Sequence, residues 1–384
     1  MKFILRIQVF VIILICVACN LSKENKVPFS GEYLNLKRVD SLVFNLDSLS
    51  AGRNPESRVY EFDGIKYFTF LNRKSNSLYF YQKNDSEVDR IIPFEREGEN
   101  GVGNISSYFI HRLDSIFLYS YGGARLYLID SNQVVLNRYF VDDEGVGVRP
   151  EVGGRRPLFK VGDHIVLNSW GSQKEYYNNQ DFPEVSFTFL NIKDSSKTYK
   201  ISYPDTYKNA IWGVQFYQIF HDYNPIDNLM VISYPIDNNL YVYDFNNDNY
   251  EKISVLGGED LDVEPLSYNS GKFVPNIIEE AKHQMGQRYY SSIKFDSKNN
   301  LYYRLIEEPF DEKYIEEFSG SFSIYGPNSI EILDNQFKVI DVILLPENSY
   351  FMGSMFVDDG YIYLEKIQDN EDLLIFDAFN VNGL

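Results

Sequence analysis

The sequence predicts an all-β fold, a six-bladed β-propeller sealed by its own N-terminal strand. Three observations predict it. Tyr and Phe, 31 and 29 of them, run through the whole chain, and residues of this kind favour strands. An alternating apolar strand, ending in an acidic or polar turn and followed by a second strand, returns six times at spacings of 43 to 90 residues, which suits propeller blades. The sixth copy runs into the C-terminus without a partner, and a ring cannot leave such an edge open.

Taken in order, the chain opens on an export signal. Lys2 and Arg6 flank a short apolar stretch, and a further apolar run over 9–18 leads to Cys19. A charged start, a short apolar core and small residues before a cysteine make a secretory signal. Ten uninterrupted apolar residues fall short of the roughly 20 that cross a bilayer, which argues against a retained anchor. The expected division is a signal over 1–18, Cys19 as the acylated first residue of the mature protein, and a polar, flexible tether over 19–37. Cys16 stands three positions before Cys19, where lipoprotein signals usually carry leucine.

A single domain is expected over 38–384. Its strand 38–46 has the composition of an outer strand and is expected to pair with 373–377. The recurring third strands begin at Leu78, Leu126, Phe187, Leu240, Ile330 and Leu373, and fourth strands are expected over 88–94, 134–141, 197–203, 250–256 and 337–345. Pro93, Pro204 and Pro346 close three of these, as a residue without a ladder donor does at an outer edge. Inner strands are read at 107–111, 215–220, 291–295 and 355–357. The rhythm breaks over 258–290 and 307–320. There Ile277, Ile278, Ala281 and Met285 have helical spacing, predicting one short inserted helix.

Without Lys2 and Arg6 the mature chain sets 34 basic against 55 acidic residues, a net charge of −21. Such a surface repels nucleic acid and anionic lipid. No cysteine follows Cys19, so the domain gains nothing from disulfides and rests on its core.

Val17-Ala18-Cys19, the Leu-Tyr-x-Tyr strands at Leu78 and Leu240, and the segment from Lys294-Phe295-Asp296 to Leu301-Tyr302-Tyr303-Arg304 resemble the TolB-like six-bladed β-propellers, specifically a group of Gram-negative envelope lipoproteins classed as a domain of unknown function. The resemblance spans essentially the whole mature chain. It implies a fold and an address, the outer membrane on its periplasmic or outward side, and no catalytic residues.

Sites for chemistry are sparse. His111, His164, His221 and His283 recur at 53, 57 and 62 residues, near a blade period, but they fall at different levels of their blades, so no metal site is expected. The run 244–248 alternates oxygen donors, yet Asn249 and Val255 stand where a calcium loop needs Gly and Glu, and a hairpin turn is expected instead. The acidic Asp142-Asp143-Glu144 reads as a solvated loop. Glycines over 98–103 lack the ending of a phosphate loop, and no Gly-x-Ser-x-Gly occurs. No cofactor is expected.

Two clusters remain as candidate binding residues. Arg149, Arg155 and Arg156 gather in one loop of an acidic chain, where guanidinium forks suit carboxylates and where pairing with the chain's own acids is the plainer use. Trp170, Tyr176 and Tyr177, with Tyr207 and Trp212, could stack on a sugar or anchor a peptide, or fill the core between blades. The expected function is a lipid-tethered, non-enzymatic binding or scaffold propeller engaging a protein or glycan through one loop face. The alternative is a propeller hydrolase or lyase acting on extracellular glycans, peptides or lactones.

Overall fold

The structure is a computed structural model that describes residues 38–142, 148–171, 185–208, 210–266, 276–320 and 325–381. The signal, Cys19, the tether, Asp143, Glu144, Tyr176 and Tyr177 lie outside the described residues.

Six antiparallel sheets form the ring. The chain begins with β1 (Arg38–Asn45) and then makes blade I from β2 (Ser57–Phe62), β3 (Ile65–Asn72), β4 (Ser77–Gln82) and β5 (Val88–Pro93). Blade II is β6 (Ser107–Arg112), β7 (Ser115–Ser120), β8 (Arg125–Ile129) and β9 (Val135–Phe140). Blade III divides its inner strand into β10 (Val148–Pro150) and β11 (Phe159–Val161), both paired with β12 (His164–Gly171), and continues with β13 (Phe187–Asn191) and β14 (Lys197–Lys200). Blade IV is β15 (Phe220–Asn224), β16 (Leu229–Ser233), β17 (Leu240–Asp244) and β18 (Asn249–Ile253). Blade V is β19 (Tyr289–Asp296), β20 (Leu301–Glu307), β21 (Asn328–Leu333) and β22 (Val339–Leu345). Blade VI is β23 (Tyr350–Asp358), β24 (Tyr361–Lys366) and β25 (Leu373–Asn380), with β1 as its fourth strand.

That last pairing is the expected seal. β1 runs antiparallel to β25 with Ser41 opposite Asp377, Val43 opposite Ile375 and Asn45 opposite Leu373. The alternation that marks a strand covered on one face explains the register, since Leu42 and Phe44 point inward and are buried. Phe44 stacks on Phe68 of blade I, ring centroids 4.4 Å apart, and meets Phe376 edge-on at 6.5 Å. One strand thus completes blade VI and packs it on blade I.

Each recurring third strand begins within two residues of its predicted start. The inner strand of blade IV departs from expectation. It begins at Phe220, and Val214–Tyr217 is a 3₁₀ turn following Gly213, whose φ is +94°. Tyr207 Oη donates to the Phe216 carbonyl at 2.9 Å and Tyr203 Oη to that of Tyr217 at 2.5 Å, so buried side chains take backbone groups a strand would pair. The run at 244–248 is a hairpin turn in which the Asp244 carboxylate accepts from the Asn246 N–H at 2.7 Å.

Two helices interrupt the rhythm among the described residues, α1 (Ile277–Met285), as expected, and α2 (Glu312–Glu317), which was not. The Asn276 side chain caps α1 by accepting from the Ile278 N–H at 3.1 Å. Neither helix contains a fully buried residue, so both lie on the outside of the ring.

Apolar clusters fill the gaps between blades VI and I, I and II, II and III, III and IV, and V and VI. Blades IV and V are joined by polar side chains as well. Asn224 Nδ2 donates to Tyr302 Oη at 2.8 Å, Asp222 accepts from the Phe295 N–H at 2.8 Å, and Arg304 reaches across to blade IV.

Candidate functional site

A depression of about 520 Å³ opens at one end of the ring. It is built from segments that lead into inner strands, Pro55 and Glu56, Ser106, and Gln218 with Phe220. The hairpin residues Arg73 and Tyr121, the loop 151–156, and Gly353 complete it. Five blades contribute, and blade V joins through Arg155, which donates to the Ser291 carbonyl at 3.2 Å and pairs with Glu307 at 2.9 Å.

The loop of blade III is the local reason for this shape. Gly153 and Arg156 exchange backbone hydrogen bonds of 2.9 and 2.8 Å, folding the chain back on itself. Gly153 has φ +147° and Gly154 φ +50°, and a Cβ on Gly153 would lie 2.3 Å from Glu56 Oε1. Glycine is therefore what lets this turn settle onto Glu56. The fully buried Glu56 carboxylate holds it there, accepting from the Gly154 N–H at 2.5 Å and the Ser107 hydroxyl at 2.9 Å, with Arg73 at 3.5 Å and Arg58 at 3.6 Å.

The arginines of the loop separate by position. Arg155 and Arg156 line the depression, whereas Arg149 lies over the Tyr121 ring, 4.3 Å from its centroid, and donates to the Tyr121 and Gly122 carbonyls. Arg156 pairs with Glu151 at 3.2 Å, and burial raises the Glu151 carboxyl although Arg156 pulls it down. The aromatic candidates are dispersed. Tyr207 is fully buried with Tyr203, Tyr217 and Tyr234, and Trp212 packs beside it, ring centroids 6.4 Å apart. Trp170 pairs through its backbone with Arg149 in the β10–β12 ladder.

The histidines do not converge. His221 is buried on β15 with Nε2 2.8 Å from the Pro157 carbonyl oxygen, and burial lowers its pKa to about 3, so the ring is neutral. His283 lies on α1 against Phe216, while His111 and His164 sit at the ends of inner and second strands in blades II and III.

Glu56, Arg73, Arg58 and Asp222 carry charge in and beside the depression, and sequence reasoning did not single them out as a site. Each is one charged residue, in or beside an inner strand except for Arg73, which stands in the β3–β4 hairpin. Only the rotation of the blades about the ring brings them together.

Glu365 of β24 lies behind the rim and accepts from the Arg53 N–H and the Ser354 hydroxyl. Burial pushes its carboxyl up from 4.5 to about 7, against the pull of those hydrogen bonds. A raised acid favours the folded state while protonated. Its contribution is complete below the unfolded value and is lost as pH rises through the folded one. Glu365→Gln keeps an acceptor for Arg53 and is expected to exceed the parent in stability by about 3 kcal/mol at high pH while matching it near the unfolded value. Calorimetric melting across pH checks this, and parallel curves for the two proteins would contradict it.

The model of the family described as a domain of unknown function, DUF4221, matches residues 33–341. A crystal structure of a DUF4221 member from Bacteroides vulgatus is similar at 20% identity and a TM-score of 0.76, covering 91% of this chain and 98% of that one. A protein of Bacteroides fragilis described as exported is similar at 10% identity and a TM-score of 0.53, with the same coverage of 91% and 98%. No curated protein sequence matches the chain. With the family model running from just before β1 into blade V, and the same fold in a solved member, this chain belongs to the DUF4221 family.

Proposed function

We propose that the protein is an exported lipoprotein of the cell envelope, held to a membrane by lipid on Cys19, and that it is a binding or scaffold propeller engaging a protein or glycan through the face that carries the depression. The observation that carries this reading is the depression itself. It is a concave site of ligand-binding size, assembled from loops of five blades, and it places three arginines, Arg73, Arg155 and Arg156, at the mouth of an acidic protein. The export signal in the sequence, its resemblance to TolB-like envelope lipoproteins, and the likeness to a Bacteroides fragilis protein described as exported support the address.

Site-specific photocrosslinking in intact cells tests the reading. A crosslinker at Tyr121, 46% exposed beside the depression, is expected to capture a partner, and one at Asp85, in a hairpin at the other end of blade I, is not. Capture should fall when Cys19→Ala abolishes incorporation of labelled palmitate. Equal capture from both faces, or palmitate labelling that persists in Cys19→Ala, would overturn it.

A further inference from the structure

Three guanidinium groups line the depression, and each keeps part of its fork open. Arg73, in the β3–β4 hairpin of blade I, spends Nη2 on the Ser106 carbonyl at 2.8 Å and on Glu56 at 3.5 Å. Arg155 spends Nη1 on the Ser291 carbonyl at 3.2 Å and on Glu307 at 2.9 Å, and Arg156 spends Nη2 on Glu151 at 3.2 Å. Among the described residues no other hydrogen bond or ion pair holds these side chains, so Nε and one Nη of each stay unused. In Arg155 and Arg156 those nitrogens reach solvent, although the side chains are only 24% and 15% exposed. The contacts already made fix each guanidinium, and an incoming anion meets donors that are ordered in advance.

The depression is also a positive spot on an acidic protein. Counting Arg58 on Glu56, four guanidinium groups there meet three carboxylates, Glu56, Glu151 and Glu307, in a chain whose net charge is −19. Arg149 adds a fifth, with no carboxylate paired to it among the described residues. It backs the Tyr121 ring at 4.3 Å from the centroid, and Tyr121 stays 46% exposed at the edge of the depression. Arginine and tyrosine are the side chains that most often anchor protein partners. An acidic partner is repelled by the rest of the surface and attracted here, which sets its orientation.

The loop 151–156 shows how a peptide sits on this surface. It puts a carboxylate into a guanidinium fork, Glu151 on Arg156, and a backbone N–H onto a carboxylate, Gly154 on Glu56 at 2.5 Å. Room remains for the same two contacts to be repeated. The open forks accept further carboxylates, while Glu151 keeps one carboxylate oxygen and Gln218 its side-chain carbonyl for N–H donors. A peptide rich in Asp and Glu brings both, and a polymer of uronic acids brings carboxylates without N–H groups. We propose that the depression takes an acidic peptide segment of a protein partner, its carboxylates held by Arg73, Arg155 and Arg156 and its backbone donors by Glu151 and Gln218. This rests on the reading of the depression as the binding face, and names the chemistry of its partner.

Titration calorimetry on the purified protein with capped hexaglutamate, capped hexaglutamine and hexagalacturonate tests it. Hexaglutamate is expected to bind, and each of the other two to bind at least about tenfold more weakly. Arg73→Gln combined with Arg156→Gln should weaken hexaglutamate by at least about tenfold, whereas Arg90→Gln, which removes an exposed cation from the outer strand of blade I, should change it by less than about twofold. The comparison among the three ligands is made on the parent and holds even where the double variant fails to fold. No binding of hexaglutamate to the parent, equal binding of hexaglutamine, or hexaglutamate binding unchanged in a folded double variant would overturn the proposal. Tighter binding of hexagalacturonate would overturn it too, while leaving the depression standing as a binding face.

Discussion

Arg304→Met is expected to remove about 3–5 kcal/mol of stability, the cost of stripping one partner from a buried ion pair and its hydrogen bonds. Arg304 is fully buried, one of the largest such side chains among the described residues. From β20 it reaches into blade IV, where Nε donates to Ser233 Oγ at 2.8 Å, Nη1 to the Asn238 carbonyl at 2.9 Å and Nη2 to the Asp237 carbonyl at 2.7 Å. Its guanidinium lies 3.1 Å from the centroid of the Tyr290 ring, and Glu331 stands 3.9 Å away on β21. Removing it orphans the carbonyls of the 237–239 turn and leaves Glu331 buried without its cation. Burial already pushes the Glu331 carboxyl up, and Arg304 is the first of the charges that hold it down.

Two controls separate these effects. Arg304→Lys should recover little, because one ammonium cannot reproduce a planar fork that serves four acceptors in different directions, the Asn239 carbonyl being the fourth at 3.4 Å from Nη2. Glu331→Gln in the Arg304→Met background should recover the part that belongs to the stranded carboxylate. Urea unfolding of the four proteins measures both. An Arg304→Met protein as stable as the parent would show that the clamp between blades IV and V carries no net stability.

The legible part of this fold was the part with a short period. A short apolar run with a closing Asp, as in Leu126 to Asp130 or Leu240 to Asp244, marks a strand covered on both sides and the tight turn that follows, and those starts lie within two residues of the structure. The seal was legible from arithmetic, because the unpaired strand at 373–377 and the spare strand at 38–46 had only each other. The inner strand of blade IV was not. Gln215 to Phe220 has strand-like composition, but Tyr203 and Tyr207, from the preceding segment, take its carbonyls and turn it into a 3₁₀ bend.

The site was legible only in part. The arginine loop stood out by charge, and two of its three arginines line the depression. Glu56, which anchors that loop, is about a hundred residues away in sequence, and Glu307, which pairs with Arg155, about a hundred and fifty beyond it. Neither belongs to a motif. What brings them together is the radius of the ring, a property of six sheets at once, and single-sequence spacing has no access to it.

The N-terminal strand decides whether those sheets form a ring at all. In β1, Leu42 and Phe44 are buried, and the latter joins Phe68, Tyr81 and Phe376 in the cluster that binds blade VI to blade I. Losing two such side chains costs about 5–10 kcal/mol. Losing the strand also strips seven paired positions from β25 and bares its edge. Set against a typical stability of about 5–15 kcal/mol, that leaves no folded margin. Thermal unfolding of the domain with and without residues 38–46 tests most directly whether this strand is the seal of the ring. The shortened protein is predicted to lose its cooperative transition and to aggregate. Unaltered melting after the deletion would contradict it.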